Sequence, residues 1–316
     1  MSRRPFTLLS AEAPTAEGPG RATFCINEPT EAAAFVRNLV QSKPMVARIF
    51  NNDQLRAPDN APIARTAPLA SGDEVALQLV PTHAPGPTSA APVTVLYQDP
   101  FLLAVDKPVG LLVHGDGTAA QTLTACVQGH LVRQGSAAVP QALHRLDVET
   151  SGIVLFSLAE ETQPAFDALI AGDGLTKRYY AVIEGTLPKS RDTWLTIDAP
   201  IARDRHDARR MRVGRTGKPS VTRVRTLGAK DGRSLLEVEL GTGRRHQIRV
   251  HLAHLGHPLV GDALYGGVRD PQGLHLHAHE VRLTHPVTGE RLSICAPLPE
   301  QLVTFGGNIA RTGIPR

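Results

Sequence analysis

The sequence predicts an α+β fold with a mixed, largely antiparallel sheet, flanking helices and a small N-terminal α+β module, and three observations lead there. Short apolar or alternating runs recur along the chain and are interrupted by only a few stretches of helical spacing. A Pro-rich, uncharged run from Pro81 to Pro92 breaks the composition once. The 316 residues are enough for about two domains with their own cores.

Residues 1–22 are polar and rich in Ala, Pro and Gly, and read as a disordered tail. Pro29-Thr30 opens a helix with Phe35 and Leu39 on one face. The module of residues 23–80 closes with a strand over Glu74 to Val80, after the turn Ser71-Gly72-Asp73. Residues 81–92 read as a semi-rigid spacer between the module and a larger domain over 93–302, with a tail at 303–316. In that domain Val93 to Gln98 and Phe101 to Val105 alternate as strands around Asp99-Pro100. Thr122 to Arg133 and Glu160 to Ile170 carry helical spacing. Lys177 to Glu184, Leu235 to Leu240, Leu274 to Leu283 and Arg291 to Ala296 read as further strands.

Composition narrows the function. No segment approaches the roughly 18 uninterrupted apolar residues that span a bilayer, and the polar start lacks a signal core, so a cytoplasmic location is expected. Cys25, Cys126 and Cys295 are far apart and lack metal or redox spacing, which predicts reduced, buried thiols. The net charge is +4, and 28 of the 34 basic residues are Arg. Arginine forks onto phosphate and stacks on bases, which suits RNA, although a GC-rich genome gives the same bias. Distribution says more than the total. From Arg203 to Arg225 nine basic residues face only Asp204 and Asp207, with little apolar periodicity before Val221. Arg209, Arg210, Arg212, Arg215 and Lys218 are the candidate RNA contacts there, on an exposed loop or hairpin.

One carboxylate stands out by its setting. Asp147 lies in the polar turn Asp147-Val148-Glu149-Thr150-Ser151-Gly152, directly before the apolar run Ile153-Val154-Leu155-Phe156. Such a turn holds the acid on a loop at the rim of a sheet, where an Asp most often only caps its own backbone. Further on, Ile248, Leu252, Leu255 and Leu259 fall near helical spacing, with Arg245 and Arg249 sharing another face.

Four separated blocks give these residues a common meaning. They are Asp106-Lys107-Pro108-Val109-Gly110-Leu111-Leu112-Val113-His114, then His144 to Gly152, then Lys177 to Gly185, then Thr242 to Leu252 running on to Gly261-Asp262-Ala263-Leu264-Tyr265-Gly266. In this order they resemble the RluA family of RNA pseudouridine synthases over about 93–300, and the closing Leu276-His277-Ala278 and His285-Pro286 also fit. The resemblance implies the catalytic domain of those synthases. It also implies an isomerase that detaches a uracil from C1′ of its ribose, turns it and rejoins it through C5, with no cofactor. Asp147 matches the family's catalytic carboxylate, acting either as nucleophile at C1′ or as base towards the sugar. Arg249 matches the arginine that pairs with it, Tyr179 the tyrosine that stacks on the target base, and Arg145 the arginine that enters RNA where the target has swung out. Strand alternation lets only one of Tyr179 and Tyr180 face the site. Arg245 stands where the family has a small hydroxyl residue, and takes no catalytic role. The N-terminal module weakly resembles the alpha-L RNA-binding module but lacks its basic helix face, so it is either an RNA-binding module or a packing appendage.

The partner expected is RNA, ribosomal first and transfer RNA next, bound by a monomer without a membrane or metal partner. His246, His251, His254 and His257 progress around a helix instead of converging, which argues against zinc. The competing reading is a catalytically idle RNA-binding or ribosome-assembly factor with the same fold.

Overall fold

The apolar run after the Asp147 turn forms the strand Ser151–Ser157, and all of its residues are buried, as expected inside a sheet covered on both faces. The computed structural model describes residues 4–115, 121–172, 174–187 and 193–306, and counts of elements refer to those residues. Ten strands make one sheet. Leu195–Asp198, Val221–Lys230, Arg233–Leu240, Leu175–Glu184, Leu276–Thr284, Ser151–Ser157, Leu102–Lys107 and Thr94–Gln98 lie side by side in that order. Arg291–Cys295 adds to Leu276–Thr284, and Gln141–Ala142 to Ser151–Ser157. The pairing is antiparallel except where Ser151-Gly152 meets His277-Ala278 in parallel. That junction sits at the end of the Asp147 loop. It is tight: Gly152 has φ 111°, and a Cβ there would collide with the Ala278 carbonyl.

Helices cover the sheet where their apolar faces dictate. Leu123–Arg133, capped by the Thr122 hydroxyl accepting from Ala125 N at 3.1 Å, packs Leu123, Val127 and Leu131 against Val105, Val154 and Phe156. Gln247–His254 packs Ile248 and Leu252 against Tyr179, Ala181 and Val238 of the central strands.

The N-terminal module is a second sheet, ordered Phe6–Glu12, Gly20–Ile26, Glu74–Leu79 and Leu55–Arg56, backed by the helices Ala32–Val40 and Lys43–Asn51. Phe6, Phe24 and Phe35 meet edge to face with centroids 5.2 to 5.7 Å apart. The same apolar cluster continues into Phe101, Leu102, Phe166, Leu283 and Ile294 of the large sheet, so the two parts share a core. Polar contacts reinforce the junction. Glu160 meets Arg48 at 2.7 Å, Thr82 at 2.5 Å and His83 at 2.6 Å. Glu161 accepts from Gln54 at 2.7 Å and from Val80 N at 3.1 Å. Burial pushes Glu160 up, but the bonds from Thr82, His83 and Arg48 outweigh it and hold the carboxyl at about 2.

Several expectations need correction. The segment 1–22 is ordered from Arg4 and holds the strand Phe6–Glu12; as an edge strand with only Phe6 buried, it shows no apolar alternation. Residues 1–3 lie outside the described residues. The 81–92 run has no regular structure yet does not act as a spacer. Ser89 N donates to Ala125 O at 2.9 Å, and Gly129 leaves room for the Ser89 carbonyl against the helix. The helix bearing Arg249 stops at His254, Gly256 follows with φ 82°, and Leu255 is exposed while Leu259 is buried beyond the turn. Arg245 lies ahead of that helix and shares no face with Arg249. A helix over Glu300–Gly306 carries the ordered chain past 302, because buried Leu302 packs with Tyr180 and Val182. Residues 307–316 of the expected tail lie outside the described residues. Of the thiols only Cys126 is buried, and Cys295, on the outer face of an edge strand, is exposed.

Candidate active site

The Asp147 loop is pinned from below. Lys107 is fully buried, and its ammonium donates to the carbonyls of Pro108 and Leu111 at 2.9 Å and of Val148 at 3.2 Å. One cation thus ties two loops, and Gly110 N adds a bond to Val148 O at 2.8 Å. Burial lowers Lys107 to about 8, against the raising influence of Asp147 and Asp106. Leu146 plugs the loop into the apolar clusters on either side, and Thr150 N closes the turn on Asp147 O at 3.0 Å. Behind the loop His144 accepts from Leu155 N at 3.3 Å, and burial lowers the imidazole to about 3, so it is neutral.

Arg249 is 2% exposed and meets three carboxylates. Its Nε and Nη2 fork onto Asp262 at 2.7 and 2.8 Å, while Nη1 reaches Glu149 at 2.7 Å and Asp147 at 3.5 Å. Burial would lower the guanidinium, but Asp262 first, then Glu149 and Asp147, raise it above its ordinary value. Asp262 thus aims Arg249, whose remaining edge faces the loop. Tyr179 comes down from the same side of the sheet. Burial, and then the Asp147 charge, push its phenol upward, which keeps it neutral. Tyr180 points through the opposite face to Val182, Val260 and Leu302, as alternation required.

Arg145 is exposed on the loop, and its charge adds to burial in lowering His114 across the gap. The exposed Val109, Leu112 and Val148 form an apolar rim beside it. The basic region is a hairpin of Ile201–Arg203 and Met211–Val213 leading into Val221–Lys230. Arg209, Arg215 and Lys218 are exposed, Arg210 and Arg212 partly covered. Arg209 is paired with Asp207 at 2.8 Å. Arg210 instead lies over the Tyr265 ring at 5.3 Å, and Arg249 over the same ring at 5.4 Å.

Asp147, Tyr179 and Arg249 therefore converge, with Arg145 at the mouth and the basic hairpin alongside. Sequence reasoning missed Glu149, Lys107, Asp262, His246 and Tyr265. All five sit inside the four sequence blocks, but only the fold shows which of them face one another. Among the described residues no group of three or more His, Cys, Asp or Glu is placed to hold a metal. His251 instead bonds Thr222 and the Ala199 carbonyl at 2.8 and 2.9 Å, and His277 bonds Ser151 at 2.9 Å.

A buried arginine aimed at a loop carboxylate beneath a mixed sheet, with a neutral tyrosine beside it and a basic hairpin at the rim, defines a site for polyanionic substrate chemistry. Proteins of known class resemble this chain over most of its length. The family described as RNA pseudouridylate synthase matches residues 102–254. The chain is 34% identical over 285 residues to the uncharacterized RNA pseudouridine synthase YhcT of Bacillus subtilis, covering 87% of this chain and 90% of that protein. It is 38% identical over 256 residues to the ribosomal large subunit pseudouridine synthase D of Xanthomonas campestris, with 74% and 75% covered. The solved structure of human RNA pseudouridylate synthase domain containing 1 superposes with a TM-score of 0.54 at 28% identity, covering 68% of this chain and 86% of that one. The chain belongs to the RluA family of RNA pseudouridine synthases, isomerases that act on RNA.

Proposed function

We propose that the enzyme converts uridines of ribosomal RNA to pseudouridine with Asp147 as its catalytic carboxylate. The observation that carries this reading is that Arg249 Nη1, on the edge turned from Asp262 to the loop, lies 3.5 Å from Asp147, beside the exposed Glu149 at 2.7 Å. An anionic oxygen held beside a buried cation at an open rim suits attack at C1′, or removal of a sugar proton, while the C1′–N1 bond breaks. The freed uracil turns and its C5 bonds to C1′ as the Asp147–C1′ bond breaks or the sugar proton is returned; the C5 proton then leaves to solvent and N1 takes one up, so atoms and redox state balance. The target atom is out of reach in a stacked base, and flipping costs a few kcal/mol. Arg145 and the apolar rim of Val109, Leu112 and Val148 are the groups that fill the gap, and the neutral Tyr179 ring receives the base. Arg209, Arg210, Arg212, Arg215 and Lys218 follow the phosphates.

Ribosomal RNA is favoured over transfer RNA by the name of the Xanthomonas relative. The N-terminal module serves in this reading as a fixed wall, since it shares its core with the catalytic unit. The enzyme works as a monomer in the cytoplasm, where its free thiols stay reduced. Among the described residues no helix is long and apolar enough to cross a membrane.

Carbodiimide mapping of pseudouridine in total RNA tests the proposal, comparing cells with the gene, without it, and with an Asp147→Asn copy. Ribosomal sites lost in the second and third cells support it. Sites lost only from transfer RNA overturn the substrate, and sites retained with Asp147→Asn overturn the catalytic role.

A further inference from the structure

His246 occupies an unusual position for its residue type. It is the N-cap of the helix Gln247–His254 but makes no capping bond through its side chain, and its φ is 54°, a left-handed conformation uncommon outside glycine. The ring is spent elsewhere. Nε2 lies 3.8 Å from Asp147 Oδ1, and the side chain is only 9% exposed. Nδ1 lies 2.9 Å from the Tyr265 hydroxyl. That hydroxyl also accepts from Met211 N, on the basic hairpin, at 2.8 Å.

These contacts favour one place for a proton. A backbone N–H can only donate, so the phenol oxygen accepts from Met211 and its own proton is free for His246 Nδ1. The imidazole proton then sits on Nε2, facing Asp147. The other neutral tautomer would set a bare Nε2 lone pair against a carboxylate oxygen, two acceptors opposed in a half-buried site. The protonated ring is disfavoured as well, since burial first, with Arg249 and Arg245 adding to it, lowers the imidazole despite the opposing pull of Asp147 and Asp262.

We propose that His246 is a positioning residue for Asp147, held as the Nε2–H imidazole by Tyr265, which the backbone of the RNA-facing hairpin holds in turn. Asp147 then faces a donor on each side, Arg249 Nη1 3.5 Å from one oxygen and His246 Nε2 3.8 Å from the other, which favours one orientation of its carboxylate towards C1′. The gap closes to a hydrogen bond when RNA seats the hairpin through Arg209 and Arg210. Arg245 ties the helix start to the same hairpin by donating to Arg209 O at 3.1 Å.

The inference rests on Asp147 being the catalytic carboxylate, and single-turnover tritium release from RNA labelled at uridine C5 separates the two. Asp147→Asn should release none; release at the normal rate would sink the catalytic reading itself. With Asp147→Asn inactive, His246→Ala should react about ten- to hundredfold more slowly with RNA affinity within about twofold of normal, the effect of losing one hydrogen bond to a charged group. His246→Gln, whose amide reaches the Nε2 position, should recover most of the rate. His246→Asn keeps a partner for Tyr265 but falls short of Asp147, and should stay slow. A normal rate in His246→Ala, or equal rates in the Gln and Asn variants, would overturn the inference alone. The protein's own tautomer gives a reading independent of any variant's folding. Imidazole nitrogen-15 NMR should place the His246 proton on Nε2 in the wild type and raise the share on Nδ1 in Tyr265→Phe. A proton on Nδ1 in the wild type would overturn the proposal.

Discussion

Lys107 shows how much of this site depends on one buried charge. Its ammonium is the shared donor for carbonyls at 108, 111 and 148, so removing it leaves three acceptors without their cation beside Asp147. Lys107→Met keeps the aliphatic stem and loses those bonds. It should cost about 1 to 3 kcal/mol in urea denaturation and slow catalysis more than it weakens RNA binding. Wild-type stability and rate in that variant would mean that the two loops hold themselves. The sequence could nominate Asp147, Tyr179 and Arg249 because each matches a block of distinctive spacing, and the fold brings the three together. Asp262 and His246 were not legible as partners of Arg249 and Asp147. Asp262 follows Arg249 by thirteen residues and a chain reversal, and His246 was readable only as a helix residue, whereas its left-handed backbone turns the ring towards the loop.

At the scale of elements, the basic hairpin Ile201–Val213 has a double attachment, outward to solvent and inward to Tyr265. Replacing Arg209, Arg210 and Arg212 together by Gln should weaken RNA binding and reduce the slope of log affinity against log salt by about one for each phosphate left without its arginine. The single changes should differ. Arg209→Gln acts on affinity, whereas Arg210→Gln also lowers the single-turnover rate, because Arg210 covers the Tyr265 ring. An unaltered salt series for the triple variant would remove the hairpin from the RNA interface. The sequence showed this region as exposed loop or hairpin because charge without apolar periodicity is a local signal. It overran the Arg249 helix for the opposite reason: Leu255 and Leu259 continue an apolar spacing, but Gly256 ends the helix between them, and Leu259 is buried through a different packing.

The whole molecule is held together by a core that crosses the boundary the composition suggested. Phe6, Phe24 and Phe35 belong to the same cluster as Phe101 and Phe166, and Glu160 and Glu161 bind Arg48, Gln54 and the backbone of 80–83. Pro-rich composition reports the lack of regular structure at 81–92 correctly, yet says nothing about what that backbone lies against. Acid should loosen this assembly in a defined window. Burial holds His144 at about 3 and His277 at about 4, below the ordinary value near 6.5, so each contributes stability that is full above about 6.5 and is lost as pH falls towards the folded value. Glu160, held at about 2 in spite of burial, adds a loss that begins below about 4.5. The unfolding free energy from urea titration should therefore fall from pH 7 to pH 5, on the order of 1 kcal/mol per pH unit below about 6.5 for each histidine, and fall further at pH 4. An equal or higher unfolding free energy at pH 5 would show that His144 and His277 are not held neutral in the fold. Whether sheet, helix and hairpin converge to make Asp147 the reacting carboxylate is decided by tritium release from C5-labelled uridine in RNA, with wild type and Asp147→Asn compared at equal RNA occupancy. Release by the wild type and none by Asp147→Asn, which still binds RNA, is the predicted result; undiminished release by Asp147→Asn would contradict it.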